Sequence, residues 1–80
     1  MRGTKAVSIT GYNSNSAIDT GIDIPSNAYD IIVFVTRGYT NNNQNPRAVF
    51  KLIDGDLFMY VTEQYNWASG SIEIAYSYKY

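Results

Sequence analysis

The chain has eighty residues, a formal net charge of −1, no cysteine and no histidine. That excludes disulfides and thiolate zinc sites, removes the commonest general base and the commonest metal ligand, and restricts any metal to a hard ion held by oxygen. A chain this short forms one domain, here residues 1–80, and buries only about 60% of the surface its unfolded form exposes, so its stability margin is thin.

Small scaffolds gain support from staples or from a partner subunit, and with no cysteine a homo-oligomer is the expected support. The six basic residues, Arg2, Lys5, Arg37, Arg47, Lys51 and Lys79, are scattered along the chain. Nucleic-acid affinity comes from clustered cations, so no nucleic-acid partner is expected. The longest strongly apolar run, Ile31 to Val35, is far below the ~20 residues that span a bilayer. No membrane insertion is therefore expected, and the opening MRGTKAVSIT shows no apolar signal-peptide core. Eight tyrosines and eight asparagines suit strands and turns respectively, and no window sustains a helical period.

In chain order, Lys5 to Thr10 alternates Val7 and Ile9 with Ser8 and Thr10, the pattern of a half-buried strand. Gly11 to Ser16 is a turn or loop by composition. Ala17 to Ile24 places Ile18, Ile22 and Ile24 in even register, with Gly21 marking a bulge. Pro25 to Ala28 reads as a turn. Tyr29 to Tyr39 is the strongest strand; Ile31, Val33 and Val35 face one way, Ile32 and Phe34 the other. Apolar residues on both faces predict a central strand covered on both sides, the second cover coming from this chain or from another subunit.

Thr40 to Asn45 is a polar loop ending at Pro46. Arg47 to Ile53 and Leu57 to Thr62 flank Asp54-Gly55-Asp56, and Asp-Gly between apolar β runs predicts a two-residue hairpin with positive φ at both central residues. The segment EQYNWASG follows, holding the single tryptophan. Ser71 to Tyr80 alternates without interruption: Ile72, Ile74, Tyr76, Tyr78 and Tyr80 share one face, as in an antiparallel strand solvated on the other. Five or six strands with regularly spaced turns predict an all-β fold, a small antiparallel sandwich or barrel.

The acids offer little chemistry. Asp54-Gly55-Asp56, even with Asp19, Asp23 or Glu63, lacks the EF-hand spacing and reads as a turn, so no metal and no cofactor are expected. Glycoside hydrolysis needs two carboxyl groups held about 5 to 9.5 Å apart across a cleft, which a domain of this size has little room to form. No enzyme and no catalytic residue are expected.

Binding chemistry is better represented. Asparagines in Thr40–Asn45, with Tyr39, Tyr65 and Trp67, resemble the residue choice of antibody loops on a rigid β scaffold. The candidate ligand-binding residues are Tyr39, Asn41, Asn42, Asn43, Tyr65 and Trp67. Trp67 either caps the open end of the small core or presents a flat face to a ligand; if it points inward, Tyr65 is the more exposed of the two. Tyr76, Tyr78 and Tyr80 form a ladder that admits three readings: core with hydroxyls at the rim, an oligomer interface, or an aromatic platform for a sugar or a base.

The stretch TGIDIPSNAYDIIVFVTRGY followed by WASGSIEIAYSYKY resembles the terminal domains of bacteriophage tail fibres and tail-tip proteins. A turn leads into a long buried strand, an Asn/Gly-rich loop follows, and an Ile/Tyr-alternating strand closes the pattern, which covers residues 17–80. The resemblance implies a β-rich, often trimeric domain that recognises a host surface. The expected function is thus a non-enzymatic, trimeric receptor-binding module located in the virion tail and acting outside the cell, its partner a host-surface glycan or outer-membrane protein. The alternatives are a structural, fibre-trimerising element and a small inhibitor of a host protein.

Overall fold

The computed structural model describes residues 1–9, 17–40, 47–61 and 70–80, with Tyr39 and Thr40 described by their backbone alone. Six strands appear in these segments: β1 (Arg2–Ser8), β2 (Ala17–Asp23), β3 (Tyr29–Thr40), β4 (Ala48–Ile53), β5 (Asp56–Val61) and β6 (Gly70–Lys79). They form two three-stranded antiparallel sheets, ordered β1–β6–β3 and β2–β5–β4. The arrangement is a sandwich, which resolves the choice between sandwich and barrel.

Alternation decides which residues meet between the sheets. Ile72 and Ile74 of β6 and Leu57, Met59 and Val61 of β5 are buried together with Val7, Ile9, Ile18, Ile22 and Ile24 in one cluster. Val33, Val35, Ala48 and Phe50 pack half-buried around it. The long axis of the molecule is 38 Å, close to the length of the twelve-residue β3 at about 3.3 Å per residue.

The turns follow their sequence signals. The Ala28 N–H donates to the Pro25 carbonyl at 3.0 Å, closing the turn before β3. Asp54 and Gly55 have φ of 51° and 86°, and Ile53 pairs with Asp56 across them, which is the two-residue type I′ hairpin. β1 begins earlier than its alternation suggests, at Arg2, because Arg2, Gly3 and Thr4 complete the ladder with β6. β1 ends at Ser8, with Ile9 beyond the strand and buried in the core; Thr10 and Thr62, the expected last residues of β1 and β5, lie outside the described residues.

β2 carries the expected bulge. Asp19 pairs with Phe58 and Asp23 with Asp56, so three residues of β2 face Leu57 alone. Gly21 supplies the left-handed backbone the bulge requires, with φ of 76°, and its N–H donates to Asp19 Oδ1 at 2.9 Å. The ladder hydrogen bonds lost at the bulge are replaced by Thr20. Its side chain is buried at 2% exposure; its hydroxyl donates to the Leu57 carbonyl at 2.7 Å and accepts from the Ile22 N–H at 3.2 Å. Thr20 extends the even-register series of Ile18, Ile22 and Ile24 into the core, although its polarity kept it out of the sequence pattern.

One expectation is overturned. β3 is an edge strand, because β6 occupies the centre of its sheet. Its inner residues Val33 and Val35 pack on the core, but Ile32 and Phe34 on the outer face are 56% and 53% exposed, so no layer among the described residues covers that face. Apolar residues on both faces are thus real here, while the second cover is missing.

Thr20→Val keeps the shape and removes the hydroxyl, leaving the Leu57 carbonyl and Ile22 N–H short of a partner. It is expected to cost about 1–3 kcal/mol, read as a lower urea midpoint at unchanged slope.

Candidate interaction surfaces

Strand register gathers six strand ends at one pole. Ser8 of β1 pairs with Ser71, and Thr40 of β3 with Gly70, so the end of β1, the end of β3 and the start of β6 lie together. In the other sheet, Ala17 pairs with Tyr60 and Ala48 with Val61, which brings together the starts of β2 and β4 and the end of β5. The short turn through residues 24–28 joins the end of β2 to the start of β3, placing both sheets' other ends at the opposite pole. Segments 10–16, 41–46 and 62–69 therefore all run between strand ends at the first pole. Asn41, Asn42, Asn43, Tyr65 and Trp67 belong to these segments and lie outside the described residues, so neither position expected for Trp67 is assigned. Tyr39 sits near the same pole, its backbone in register with Ser71.

The tyrosine ladder is split. Tyr76 and Tyr78 turn inward and pack half-buried against the core, continuing the face of Ile72 and Ile74. Tyr76 lies across Gly3, where a side chain on the glycine would collide with the phenol ring. Tyr80 is 72% exposed, and its ring meets that of Tyr78 at 5.6 Å with a 44° tilt, a spacing typical of favourable aromatic pairs.

The outer face of the β1–β6–β3 sheet bears an exposed apolar stripe of Ile32 and Phe34. Ile32 pairs with Ser77 and Phe34 with Ala75, small neighbours that leave both side chains standing proud. Charges close the stripe at both ends. Lys79 Nζ reaches Asp30 Oδ2 at 3.4 Å, and Arg37 reaches Glu73 Oε2 at 3.5 Å. Each closure coincides with an irregularity in β3. Between Tyr29 and Ile32 an extra residue is taken up by Asp30 at φ 51°, a conformation aspartate tolerates better than most residues. Between Val35 and Arg37 the extra residue is Thr36, whose hydroxyl lies 3.1 Å from the Glu73 carbonyl and 3.0 Å from Glu73 Oε1. Alternation along β3 had shown Ile32 and Phe34 on a common face; their exposure follows from the strand order, which no local pattern carries.

The opposite sheet has an acidic corner. Asp23 and Asp56 face each other directly across β2 and β5. The Asp56 carboxyl is raised above its ordinary range, first by a hydrogen bond with Asp23, then by desolvation and by the negative charges of Asp23, Asp19 and Asp54. Among the described residues no group of three acids is placed to hold a metal ion.

Comparison with protein-family models, with curated proteins and with solved structures found no match.

A raised carboxyl pKa means the folded state holds its proton more tightly than the unfolded chain. The associated stability is present below the ordinary aspartate range and is lost as pH rises through the folded value. Asp56→Asn is expected to raise the melting temperature at neutral pH and to flatten its fall between acid and neutral pH, as followed by thermal melts across that range.

Proposed function

We propose that the protein is a non-enzymatic binding module that recognises its ligand at the pole where the strand ends bracketing segments 10–16, 41–46 and 62–69 lie together. The observation that carries this reading is that the ends of all six strands bracketing segments 10–16, 41–46 and 62–69 lie together. Loops brought together on a rigid β scaffold are a common way to build a binding surface. The residue types in those segments, amides and aromatics with few charges, suit a hydroxyl-rich glycan or a polar protein surface: amides exchange hydrogen bonds and aromatic faces stack on apolar ring faces. The resemblance to phage tail-fibre domains supplies a setting, a virion tail contacting a host-surface glycan or outer-membrane protein. The absence of histidine and cysteine leaves few routes to catalysis.

A second reading, a structural element that works by self-association, is favoured by the bare apolar stripe of Ile32 and Phe34 on an edge strand.

Binding to host cells or to a glycan array tests the first reading. Trp67→Ala is expected to weaken binding about tenfold or more, as loss of an aromatic anchor does, and Asn42→Ala to weaken it less. Unchanged binding in both variants removes the pole as the contact site.

A further inference from the structure

Each sheet of the sandwich has two edge strands, and three of the four carry a charge at or near mid-strand: Lys5 in β1, Lys51 in β4 and Asp19 in β2. Charges on an edge are a usual protection against pairing with another chain. β3 differs. Its charges and its two bulges lie toward its ends; between Asp30 and Arg37 it has no charge, and Ile31 to Val35 are five consecutive apolar residues. Beside it, a shallow depression of about 390 Å³ lies along the β3–β4 side, lined by Val33, Phe34, Val35, Arg47, Ala48 and Phe50. The one edge without a mid-strand charge thus adjoins the half-buried layer around the core.

We infer that β3 is a self-pairing edge: two copies of the chain join antiparallel through β3, about a two-fold axis at Val33, to make one continuous six-stranded sheet. The register comes from the strand itself. Val33 lies midway between Tyr29 and Arg37, the residues that bound its two irregularities. Pairing about Val33 sets Tyr29 opposite Arg37 of the second copy, Asp30 opposite Thr36 and Ile32 opposite Phe34. The extra residue between Tyr29 and Ile32, Asp30, then faces the extra residue between Val35 and Arg37 of the second copy, Thr36, so the new ladder runs through both bulges without a slip. Facing side chains in antiparallel pairs lie on the same side of the sheet, and this register joins Ile32 and Phe34, both exposed on the outer face, into one stripe.

Charge complementarity supports the same register. Each end of β3 already holds an ion pair with β6, Lys79 with Asp30 and Arg37 with Glu73. Pairing about Val33 aligns Lys79, Tyr29, Arg37 of the second copy and Glu73 of the second copy across four strands. Asp30, opposite Thr36 of the second copy, comes one residue from that Arg37, so an acid and a base of the two copies lie near each other, and the two-fold axis repeats the arrangement at the other end. Tyr29 comes opposite the Arg37 guanidinium of the second copy, a favourable cation–aromatic neighbour. The contact is isologous and closes at two copies, whereas the tail-fibre resemblance implies three.

The pairing uses the side of the sandwich and does not rest on recognition at the loop pole. Because the chain has no cysteine, single-cysteine variants of the full chain report the register directly. Sedimentation velocity is expected to give twice the 9.0 kDa chain mass. Val33→Cys is expected to oxidise to a covalent dimer, and an equimolar mixture of Ile32→Cys and Phe34→Cys to cross-link between variants in preference to within either. Phe34→Lys, which places a charge mid-edge, is expected to weaken the dimer about tenfold or more while circular dichroism shows it folded. Phe58→Lys on the other sheet should leave the dimer intact. A monomer throughout the concentration range overturns the inference, as does a trimer in which Val33→Cys does not cross-link, or mixed variants that cross-link no better with each other than with themselves. A monomer that still loses ligand binding on Trp67→Ala overturns the edge pairing and leaves the recognition reading standing.

Discussion

The structure depends on two central strands. β6 and β5 lie in the middle of their sheets, and Ile72, Ile74, Leu57, Met59 and Val61 are buried between the layers almost without exposure. Each is flanked on both sides by a strand of its own sheet. In a chain of eighty residues there is apolar material for one such layer, and burial of that layer is the dominant favourable term available. The remaining strands are held by their ladders to these two and by the inward halves of their own alternation.

That arrangement explains where irregularities are tolerated. The bulges lie in β2 and β3, which are edge strands, while β5 and β6 supply the uninterrupted template. An extra residue in an edge strand disturbs one ladder; in a central strand it would disturb two. Two of the irregularities bring a side chain to backbone groups at the disturbed ladder, Thr20 and Asp19 in β2 and Thr36 at the Glu73 carbonyl in β3, while at the third Asp30 pairs with the Lys79 side chain. Buried backbone groups need partners, and small hydroxyl and carboxylate side chains supply them at the points where the ladder stops.

Much of this was legible from residue order. Period-two alternation reported the inward faces of β1, β2 and β6, Asp54-Gly55 reported its turn and Gly21 its bulge, because each is a local consequence of side-chain shape or of backbone sterics. Strand order was not legible. Apolar residues on both faces of β3 are equally compatible with a centre position and with an edge whose outer face awaits a partner, since alternation specifies faces and says nothing of neighbours. The place of β6 at the centre is set by pairings between residues far apart in the chain, Tyr76 with both Gly3 and Val33. Thr20 was missed because a threonine among isoleucines looks like the polar half of an alternation. Of the site residues expected from composition, Tyr39 is placed at the loop pole through its backbone, and the inward turn of Tyr76 and Tyr78 was one of the three readings open for them.

The pole opposite the loop pole has a further property. Met1 donates to the Tyr78 carbonyl at 2.9 Å and accepts from the Tyr78 N–H at 2.8 Å, so position 1 lies opposite position 78, two residues from position 80. Backbone cyclisation there would close a gap the fold has already closed, adding little native strain while restricting the unfolded ensemble. The same proximity makes the fold a natural subject for circular permutation, with new ends opened at the Asp54-Gly55 hairpin tip on the same pole. The β1–β6 ladder would then be held by a covalent link as well as by its hydrogen bonds, and the loop pole would keep the same strand ends in the same places.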